Sequence, residues 1–410
     1  VAWGPPPFRN LFSYGVDYRP SVLRVGTDTY YNAIERLQRE NPKMIIIPAI
    51  ETAPFYHVEG NPIFGQLTVN DWRRHILLLG MGREAVKRMP VPHNGLSTRY
   101  FSTLLPGFLL FVGAMLLSLI LLLHRGWVRW FGAIALLVSL LGAIDAHPFK
   151  SSPFSPYLGD LGVRPYQEII NYAEDNGGFA LWAHQGSLLG DSKAGPARLK
   201  TAPHTEMLLK TVNFWGFDAL YEDNFTASRP GREWDRYLVG YLGGLRPRPL
   251  WGYAGLDFHS ERELRERKRL TDLQNVFLLD EISEDAFYRA LVNGRFYMVR
   301  GYTPGRLRMD HFRVSSPDGR ERGTYGSDLR FTGPPRLEFR VSTEDKSIRQ
   351  VKAQIIRMGK VIRTFEGPTP LSVDFSDRDD IPFQRFYYRI DVQVTRSDHI
   401  LTNPVFIRRN

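Results

Sequence analysis

The sequence of 410 residues contains no cysteine, and this absence excludes several kinds of site. Without thiols the chain can form no disulfide, no thiolate zinc site and no cysteine nucleophile. It also lacks a Gly-x-Ser-x-Gly nucleophile elbow and a glycine loop that would cradle a phosphate. Basic residues are scattered and form no block interleaved with exposed aromatic side chains, so we expect no nucleic-acid partner.

Chain length and net charge indicate the number of domains and the kind of partner. A chain of this length exceeds what one compact core holds, so two or more domains are expected. The formal net charge of +10 at pH 7 favours anionic partners such as phosphates and acidic lipid headgroups.

Two long apolar segments predict a transmembrane hairpin in contact with membrane lipid. Residues 102–123 carry no charge and are long enough to cross a hydrocarbon core of roughly 30 Å. A second apolar run, residues 127–144, follows a short turn and contains one charge, Arg129. Two spans return the chain to its starting side, so the parts before and after the hairpin lie on one face of the membrane.

Basic residues around the hairpin bear on its orientation. Arg125 lies in the short turn and Arg129 next to it, which predicts a cytoplasmic turn and a globular part on the extracytoplasmic, periplasmic side. Other basic residues near the first span argue for the reverse orientation: Arg83, Lys87, Arg88 and Arg99.

Outside the hairpin, helical and strand patterns alternate up to about residue 304, which is typical of an α/β fold. The main predicted helices cover residues 30–40, 165–176, 205–214, 235–242 and 283–291. The predicted strands cover residues 43–48, 76–80, 179–183, 217–221 and 250–254. From about residue 305, alternating runs separated by Gly and Pro turns predict a small antiparallel β-sandwich.

Acidic and imidazole side chains stand at the ends of these strands, where ligand groups of α/β folds collect. Asp257 and His259 follow the strand 250–254 at a spacing that would place both on one face of a strand. The other candidates are Glu51, His75 and His184, with Glu222 as an extra acid. Taken singly, each histidine is more typical of an ordinary core or loop residue than of a ligand. Together, carboxylates and neutral imidazoles predict a site for Zn, Mn or Fe.

Several of these segments together resemble the later motifs of the PHP (polymerase and histidinol phosphatase) superfamily of metal-dependent hydrolases. The segments are IIIPAIE at 45–51, HILLLG at 75–80, GFALWAH at 178–184, FDALY at 217–221 and GLDFHS at 255–260. Residues 275–301 are also similar, and the tail LTNPVFI at 401–407 is similar to the carbaryl-hydrolase-like branch.

The resemblance implies a distorted (β/α)7 barrel that binds two or three metal ions at the strand ends and cleaves phosphoesters. It implies that Glu51 bridges metals and acts with Asp257 in catalysis. His75, His184, Asp257 and His259 would be terminal metal ligands, with His57 as a rival to His75. The barrel would comprise residues 1–99 and 147–304, the hairpin residues 100–146 and the sandwich residues 305–410.

The sequence departs from the family at its start. The first motif, His-x-His, is absent, and Asp17-Tyr18 stands where Asp-His is expected. Either the missing His-x-His lies upstream of Val1, or the metal site has been lost.

Two functions follow. The first is a membrane-anchored, metal-dependent hydrolase acting on an anionic small molecule, in particular a phosphoester. The second is a catalytically degenerate, accessory subunit of a membrane complex. In that case the hairpin would pack against partner helices through small residues, namely Gly107, Gly113, Ala114 and Gly142.

Overall fold

The computed structural model describes residues 21–60, 67–92, 94–187, 191–195, 197–221, 225–260, 262–263, 269–302, 304–395 and 398–409, and the backbone of two short N-terminal strands. Asp17, Tyr18 and Glu222 lie outside these residues.

Within the described ranges, the helices alternate with strands along most of the chain. The helices are α1 (Val22–Val25), α2 (Thr27–Glu40), α3 (Arg83–Lys87), α4 (Phe101–Leu122), α5 (Trp127–Asp145), α6 (Arg164–Asp175), α7 (Met207–Lys210), α8 (Glu233–Leu242) and α9 (Glu284–Val292). The first thirteen strands are β1 (Ala2–Trp3), β2 (Tyr14–Gly15), β3 (Ala49–Thr52), β4 (His57–Glu59), β5 (Thr68–Asn70), β6 (Ile76–Leu79), β7 (Phe179–Trp182), β8 (Ser192–Ala194), β9 (Ala197–Lys200), β10 (Gly216–Tyr221), β11 (Trp251–Gly255), β12 (Leu273–Phe277) and β13 (Phe296–Arg300). The remaining strands are β14 (Leu307–Ser315), β15 (Arg322–Gly323), β16 (Asp328–Arg330), β17 (Arg336–Thr343), β18 (Gln350–Arg357), β19 (Lys360–Pro368), β20 (Leu371–Ser376), β21 (Arg385–Gln393), β22 (His399–Thr402) and β23 (Val405–Arg408).

The chain forms two compact units, each built from discontinuous segments. The first unit contains Val1–Glu40, Pro48–Gly178 and Leu189–Ala202. The second unit contains Asn41–Ile47, Phe179–Leu188 and Pro203–Asn410. Both units combine helices with sheets, so the predicted mixed α/β class is confirmed, whereas the (β/α)7 barrel stays a prediction.

Besides the short antiparallel pair of β1 and β2, the first unit contains two further sets of paired strands. Strands β3 and β6 pair antiparallel, and the order β4-β5-β9-β8 forms a four-stranded sheet. Apolar side chains from the four-stranded sheet and its flanks form a local core: Tyr56, Val58, Leu67, Val69, Ala197 and Leu199. The strand predicted at residues 43–48 is wrong, because pairing with β6 begins only at Ala49, directly after Pro48. Proline has no N–H to donate to a ladder.

The two apolar helices α4 and α5 form the predicted hairpin. At about 1.5 Å per residue, their 22 and 19 residues reach about 33 and 28 Å. Both are long and apolar enough to span a membrane. The helices approach closely at two glycines: a Cβ on Gly132 would stand 2.8 Å from Leu121 Cβ, and one on Gly142 would overlap the ring of Phe111.

The outer surface of the hairpin is apolar. Leu110 is 69% exposed and Trp130 is 74% exposed. Two serines inside the spans are buried, and each donates its hydroxyl proton to a carbonyl four residues earlier: Ser118 to Ala114 and Ser139 to Ala135. The hairpin therefore satisfies these hydroxyls internally and presents hydrocarbon outwards.

The second unit begins with three parallel strands in the order β11-β10-β7. Every residue of β10 is buried. Further along the chain, an eight-stranded sheet has the order β12-β13-β22-β21-β18-β19, with β23 on β21 and β16 on β23. A four-stranded sheet has the order β15-β14-β17-β20. Side chains of both sheets share one apolar core, as expected of the predicted β-sandwich.

One long strand of this region, β14, escapes prediction. Its inward side chains change phase in the middle, because a β-bulge between Met309 and His311 shifts the register against β17. Leu307 and Met309 point inwards before the bulge, and Phe312 and Val314 after it. A bulge breaks the strict alternation by which strands are recognised in a sequence.

A buried ion pair joins α8 to β21. The Arg389 guanidinium donates from Nε to Asp235 Oδ1 (2.8 Å) and from its second terminal nitrogen to Asp235 Oδ2 (2.7 Å). The side chains are 0% and 2% exposed, respectively. Tyr387 and the Gly231 N–H also donate to the Asp235 carboxylate, both at 2.7 Å. Removal of either charge leaves the other buried without its partner.

We therefore expect Asp235→Ala to lower the free energy of unfolding by about 3–5 kcal/mol, the usual loss for one partner of a buried pair. The measurement is thermal unfolding of the detergent-solubilised chain. The matched control is Asp374→Ala, which removes a two-pronged arginine contact, with Arg336, that is exposed to solvent. This control should leave the midpoint almost unchanged, because water screens exposed pairs. Equal shifts in the two variants would contradict the assignment.

Candidate metal centre

The carboxyl ends of the three parallel strands of the second unit lie at one edge of the sheet. Phe217 of β10 pairs with Trp182 of β7, and Tyr221 of β10 pairs with Gly255 of β11. His184 stands two residues after β7, and Asp257 stands two residues after β11. Two residues from the predicted site thus occupy equivalent places on either side of β10.

His184 is held by the central strand. Its backbone N–H donates to Asp218 Oδ2 (2.8 Å), and its φ of +31° falls in the left-handed region that few non-glycine residues adopt. The side-chain amide of Gln185 donates to the Asp218 carbonyl oxygen (2.7 Å). The imidazole of His184 lies beside the ring of Tyr221, with 5.6 Å between centroids.

Asp257 and His259 lie side by side, as predicted, but in an irregular segment after β11 and not on a strand. β11 ends at Gly255, and Asp257 has a φ of +48°. Asp257 Oδ1 lies 3.0 Å from His259 Nε2, and Asp257 Oδ2 accepts a hydrogen bond from the Tyr221 hydroxyl (2.8 Å). On the other side of the ring, His259 Nδ1 lies 3.3 Å from Glu263 Oε1.

The remaining two predicted residues belong to the first unit. Glu51 lies on β3 and His75 directly precedes β6, the antiparallel partner of β3. His75 Nδ1 is 2.7 Å from Glu51 Oε1. Within the first unit the structure brings Glu51 together with His75, and within the second unit it brings His184 together with Asp257 and His259 through Tyr221.

Three residues of the site in the second unit were not chosen from the sequence. Asp218 and Tyr221 belong to the FDALY segment, whose strand pattern and resemblance single out no ligand, and Glu263 belongs to a charged run. A signal for Asp218 was available, since a carboxylate inside an otherwise apolar, fully buried strand needs a specific partner. The backbone N–H of His184 is one such partner.

The chemistry of Asp257 and His259 suits a divalent transition metal. Two ligand atoms at right angles on one ion, each about 2.1 Å from it, stand about 3.0 Å apart. The distance of 3.0 Å between Asp257 Oδ1 and His259 Nε2 meets this condition. Glu263 occupies the position from which a carboxylate orients a metal-bound imidazole. Among the described residues of this unit, the pair belongs to no group of three histidine or carboxylate side chains whose ligand atoms all lie within 4.8 Å of one another.

Comparison with known proteins adds no relative: no protein-family model matches the chain, and neither does any curated protein. The assignment of this edge therefore depends on its geometry and on the resemblance of its motifs.

Gly255 is required where β11 passes Asp218. A Cβ at this position would stand 2.5 Å from Asp218 Oδ2 and closer still to Oδ1. We expect Gly255→Ala to displace the carboxylate that holds His184 and to cost about 1–3 kcal/mol, as overpacking of a filled interior does. The measurement is again the midpoint of thermal unfolding.

The control for this substitution is Gly240→Ala in α8. An added Cβ there would be 3.5 Å from Arg246 Cγ, an ordinary contact, and alanine is favoured over glycine inside a helix by about 0.5–1 kcal/mol. The two Gly→Ala changes should therefore act in opposite directions. A Gly255→Ala variant as stable as the unaltered chain would show that Asp218 is not held as described.

Proposed function

We propose that this protein is a membrane-anchored, metal-dependent hydrolase of the PHP type that acts on phosphoesters. The observation that supports this proposal best is the convergence of His184, Tyr221, Asp257 and His259 at the carboxyl edge of three parallel strands. Ligands of α/β folds bind at such edges.

The backbone at this edge adds support. His184 and Asp257 both adopt left-handed conformations, which cost free energy for residues with a Cβ. Conformations of this kind persist where the surroundings fix them, and they cluster at functional sites. Here the fixing contacts are Asp218 for His184 and Tyr221 for Asp257.

In this proposal some residues hold the metal ion and others orient its ligands. Asp257 Oδ1 and His259 Nε2 would hold a Zn, Mn or Fe ion, with His184 nearby. A bound ion of this class lowers the pKa of a coordinated water and stabilises charge on a phosphoryl oxygen. Tyr221 orients the Asp257 carboxylate, and Glu263 orients the His259 ring. The net charge of +10 favours approach of an anionic substrate. The roles of Glu51 and His75 as a metal bridge and a ligand stay predictions of the resemblance.

The hydrolase proposal predicts that Asp257→Asn loses metal and activity together. The amide keeps the shape of the side chain but removes the charge, so metal affinity should fall by at least about 10-fold. The measurements are metal content after dialysis against zinc or manganese, and hydrolysis of bis(4-nitrophenyl) phosphate.

The matched control for this change is Asp345→Asn, in an exposed loop where the carboxylate accepts hydrogen bonds from the N–H and the hydroxyl of the nearby Ser347. The control should keep metal content and activity. If Asp257→Asn retained both, the hydrolase would be ruled out at this edge.

A second function is favoured by the outer face of the hairpin. Gly107 and Gly113 lie on α4 with nothing within 4 Å of an added Cβ, so their surfaces are open to a neighbouring helix. Gly142, by contrast, is already used against Phe111 inside the hairpin. An accessory subunit of a membrane complex would use the open glycines and need no metal at the strand edge.

We also propose that α4 and α5 cross a membrane, with the turn between them on the cytoplasmic side and the globular part outside. The support is the length of both helices, their exposed hydrocarbon surface and the two arginines near the turn. A chain without cysteine allows a direct test, because one introduced thiol is the only site for a maleimide.

We expect His124→Cys in the turn and Leu245→Cys in the globular part to be labelled from opposite sides. Leu245 is 82% exposed, so its replacement should not disturb the fold. In sealed right-side-out vesicles, an impermeant maleimide should label Leu245→Cys and spare His124→Cys until detergent is added. Equal labelling of both in sealed vesicles would contradict a spanning hairpin, and labelling of His124→Cys alone would reverse the orientation. The unaltered, cysteine-free chain should stay unlabelled.

A further inference from the structure

A second cluster of metal-ligating side chains lies wholly within the first unit. His57 Nδ1 or Nε2 and one carboxylate oxygen each of Asp71 and Asp160 lie within 4.8 Å of one another. We propose that His57, Asp71 and Asp160 form a binding site for one divalent transition-metal ion, distinct from the proposed hydrolase centre.

The fold brings these three residues together from separate segments. β4 and β5 pair antiparallel, and His57 stands opposite Asn70, the residue before Asp71. The Asp71 N–H donates to the Lys200 carbonyl (2.8 Å), which fixes the turn after β5. The Val58 N–H donates to the Pro156 carbonyl (2.9 Å), so the chain that leads to Asp160 runs beside β4.

His57 provides the observation that points to a ligand. Its side chain is only 8% exposed, and its Nδ1 has no hydrogen-bond partner among the described residues. This nitrogen faces Asp71 Oδ2 at 3.6 Å, beyond hydrogen-bond range. Ligand atoms on a common ion, each bonded at about 2.1 Å, stand about 3.0–3.4 Å apart. A metal ion between the two atoms would give the buried nitrogen a partner. The two atoms would need to move only slightly closer together.

Two neighbouring charged side chains orient the residues of the cluster. Arg74 donates to Asp71 Oδ1 at 3.0 Å, which holds the carboxylate with Oδ2 towards His57. Glu59 Oε1 lies 3.6 Å from His57 Nε2, on the far side of the ring, where carboxylates commonly orient metal-bound histidines.

Charge and ligand type select the class of ion. With His57 neutral, the carboxylates of Asp71, Asp160 and Glu59 and the guanidinium of Arg74 leave two net negative charges, which one divalent cation balances. One imidazole nitrogen and two carboxylate oxygens suit zinc, manganese or iron better than calcium, which takes oxygen ligands only. Asp160 follows the hairpin in the chain. A metal ion would therefore tie the segment that leaves α5 to the sheet that carries β4 and β5.

The test uses the full chain with Asp257→Asn as background, so that failure of the hydrolase centre does not affect it. Zinc titration, followed by calorimetry and by the midpoint of thermal unfolding, is compared with and without Asp160→Asn. Asp160 is exposed, so this change should leave the fold intact. We expect zinc affinity to fall by at least about 10-fold and the zinc-induced rise of the midpoint to disappear.

Further variants sharpen the result. His57→Gln should act like Asp160→Asn, and Glu84→Gln, which alters an exposed carboxylate of α3 in the same unit, should change neither readout. Equal zinc affinity with and without Asp160→Asn would overturn the proposal. Stabilisation by calcium as strong as that by zinc would overturn the assignment to a transition metal.

Discussion

The buried pair of Asp235 and Arg389 is the interaction on which the second unit depends. Burial of either charge alone would cost several kcal/mol of desolvation free energy, so each charge needs the other as a hydrogen-bonded partner. Arg389 also donates to the Ser228 carbonyl (2.9 Å) and lies over the Trp234 ring, 4.8 Å from its centroid. Because these bonds are directional, they fix where α8 lies along β21, whereas apolar packing alone would tolerate some sliding.

The same unit uses two asparagines to complete its parallel strands. β11 is the terminal strand beside β10, and side-chain amides take the place of a further strand along it. The Gly252 N–H donates to Asn403 Oδ1, and the Ala254 N–H donates to Asn275 Oδ1, both at 2.8 Å. Asn275 also donates to the Ala254 carbonyl (2.9 Å). A side-chain amide can satisfy both the N–H and the C=O of one residue, and buried backbone groups need such partners.

These asparagines give the β-rich C-terminal part a role in the candidate metal centre. Asn275 belongs to β12 and Asn403 lies between β22 and β23, so the eight-stranded sheet holds β11 at the point where it leads into Asp257. The last strands are therefore a scaffold for the strand edge and not an independent appendage.

The sequence predicts well what depends on neighbouring residues. The ends of α4 and α5 agree with the ends of the predicted apolar runs to within one residue, since length and lack of charge determine these helices. β10, β11 and α9 likewise lie where their patterns indicate. The isoleucines of residues 45–47 predict a strand that does not form. A β-branched run shows a preference for strand conformation, but it does not show whether a partner strand is available.

What the sequence misses is set by long-range pairing. His57 and Asp71 are 14 residues apart and meet only through the β4–β5 ladder, whose three-residue strands carry no pattern strong enough to predict. Asp160 joins them from beyond the hairpin. Asp218 was visible as an acid in an apolar strand, but its partner, the backbone of His184, could not be read from the residues.

Backbone conformation explains the other differences between the site predicted from the sequence and the structure. Among the described residues, six non-glycine positions have left-handed φ values, and three of them are His184, Asp257 and Asp71. Asp and His enter this region more readily than most residues, so their presence alone predicts nothing about it. The left-handed backbone, and not the two-residue period of a strand, sets the direction of each of these side chains. Local rules fail most often where surroundings impose strain, and such places are commonly functional. Half of the left-handed non-glycine residues therefore coincide with the two candidate metal sites, which is where a functional constraint on the backbone would place them.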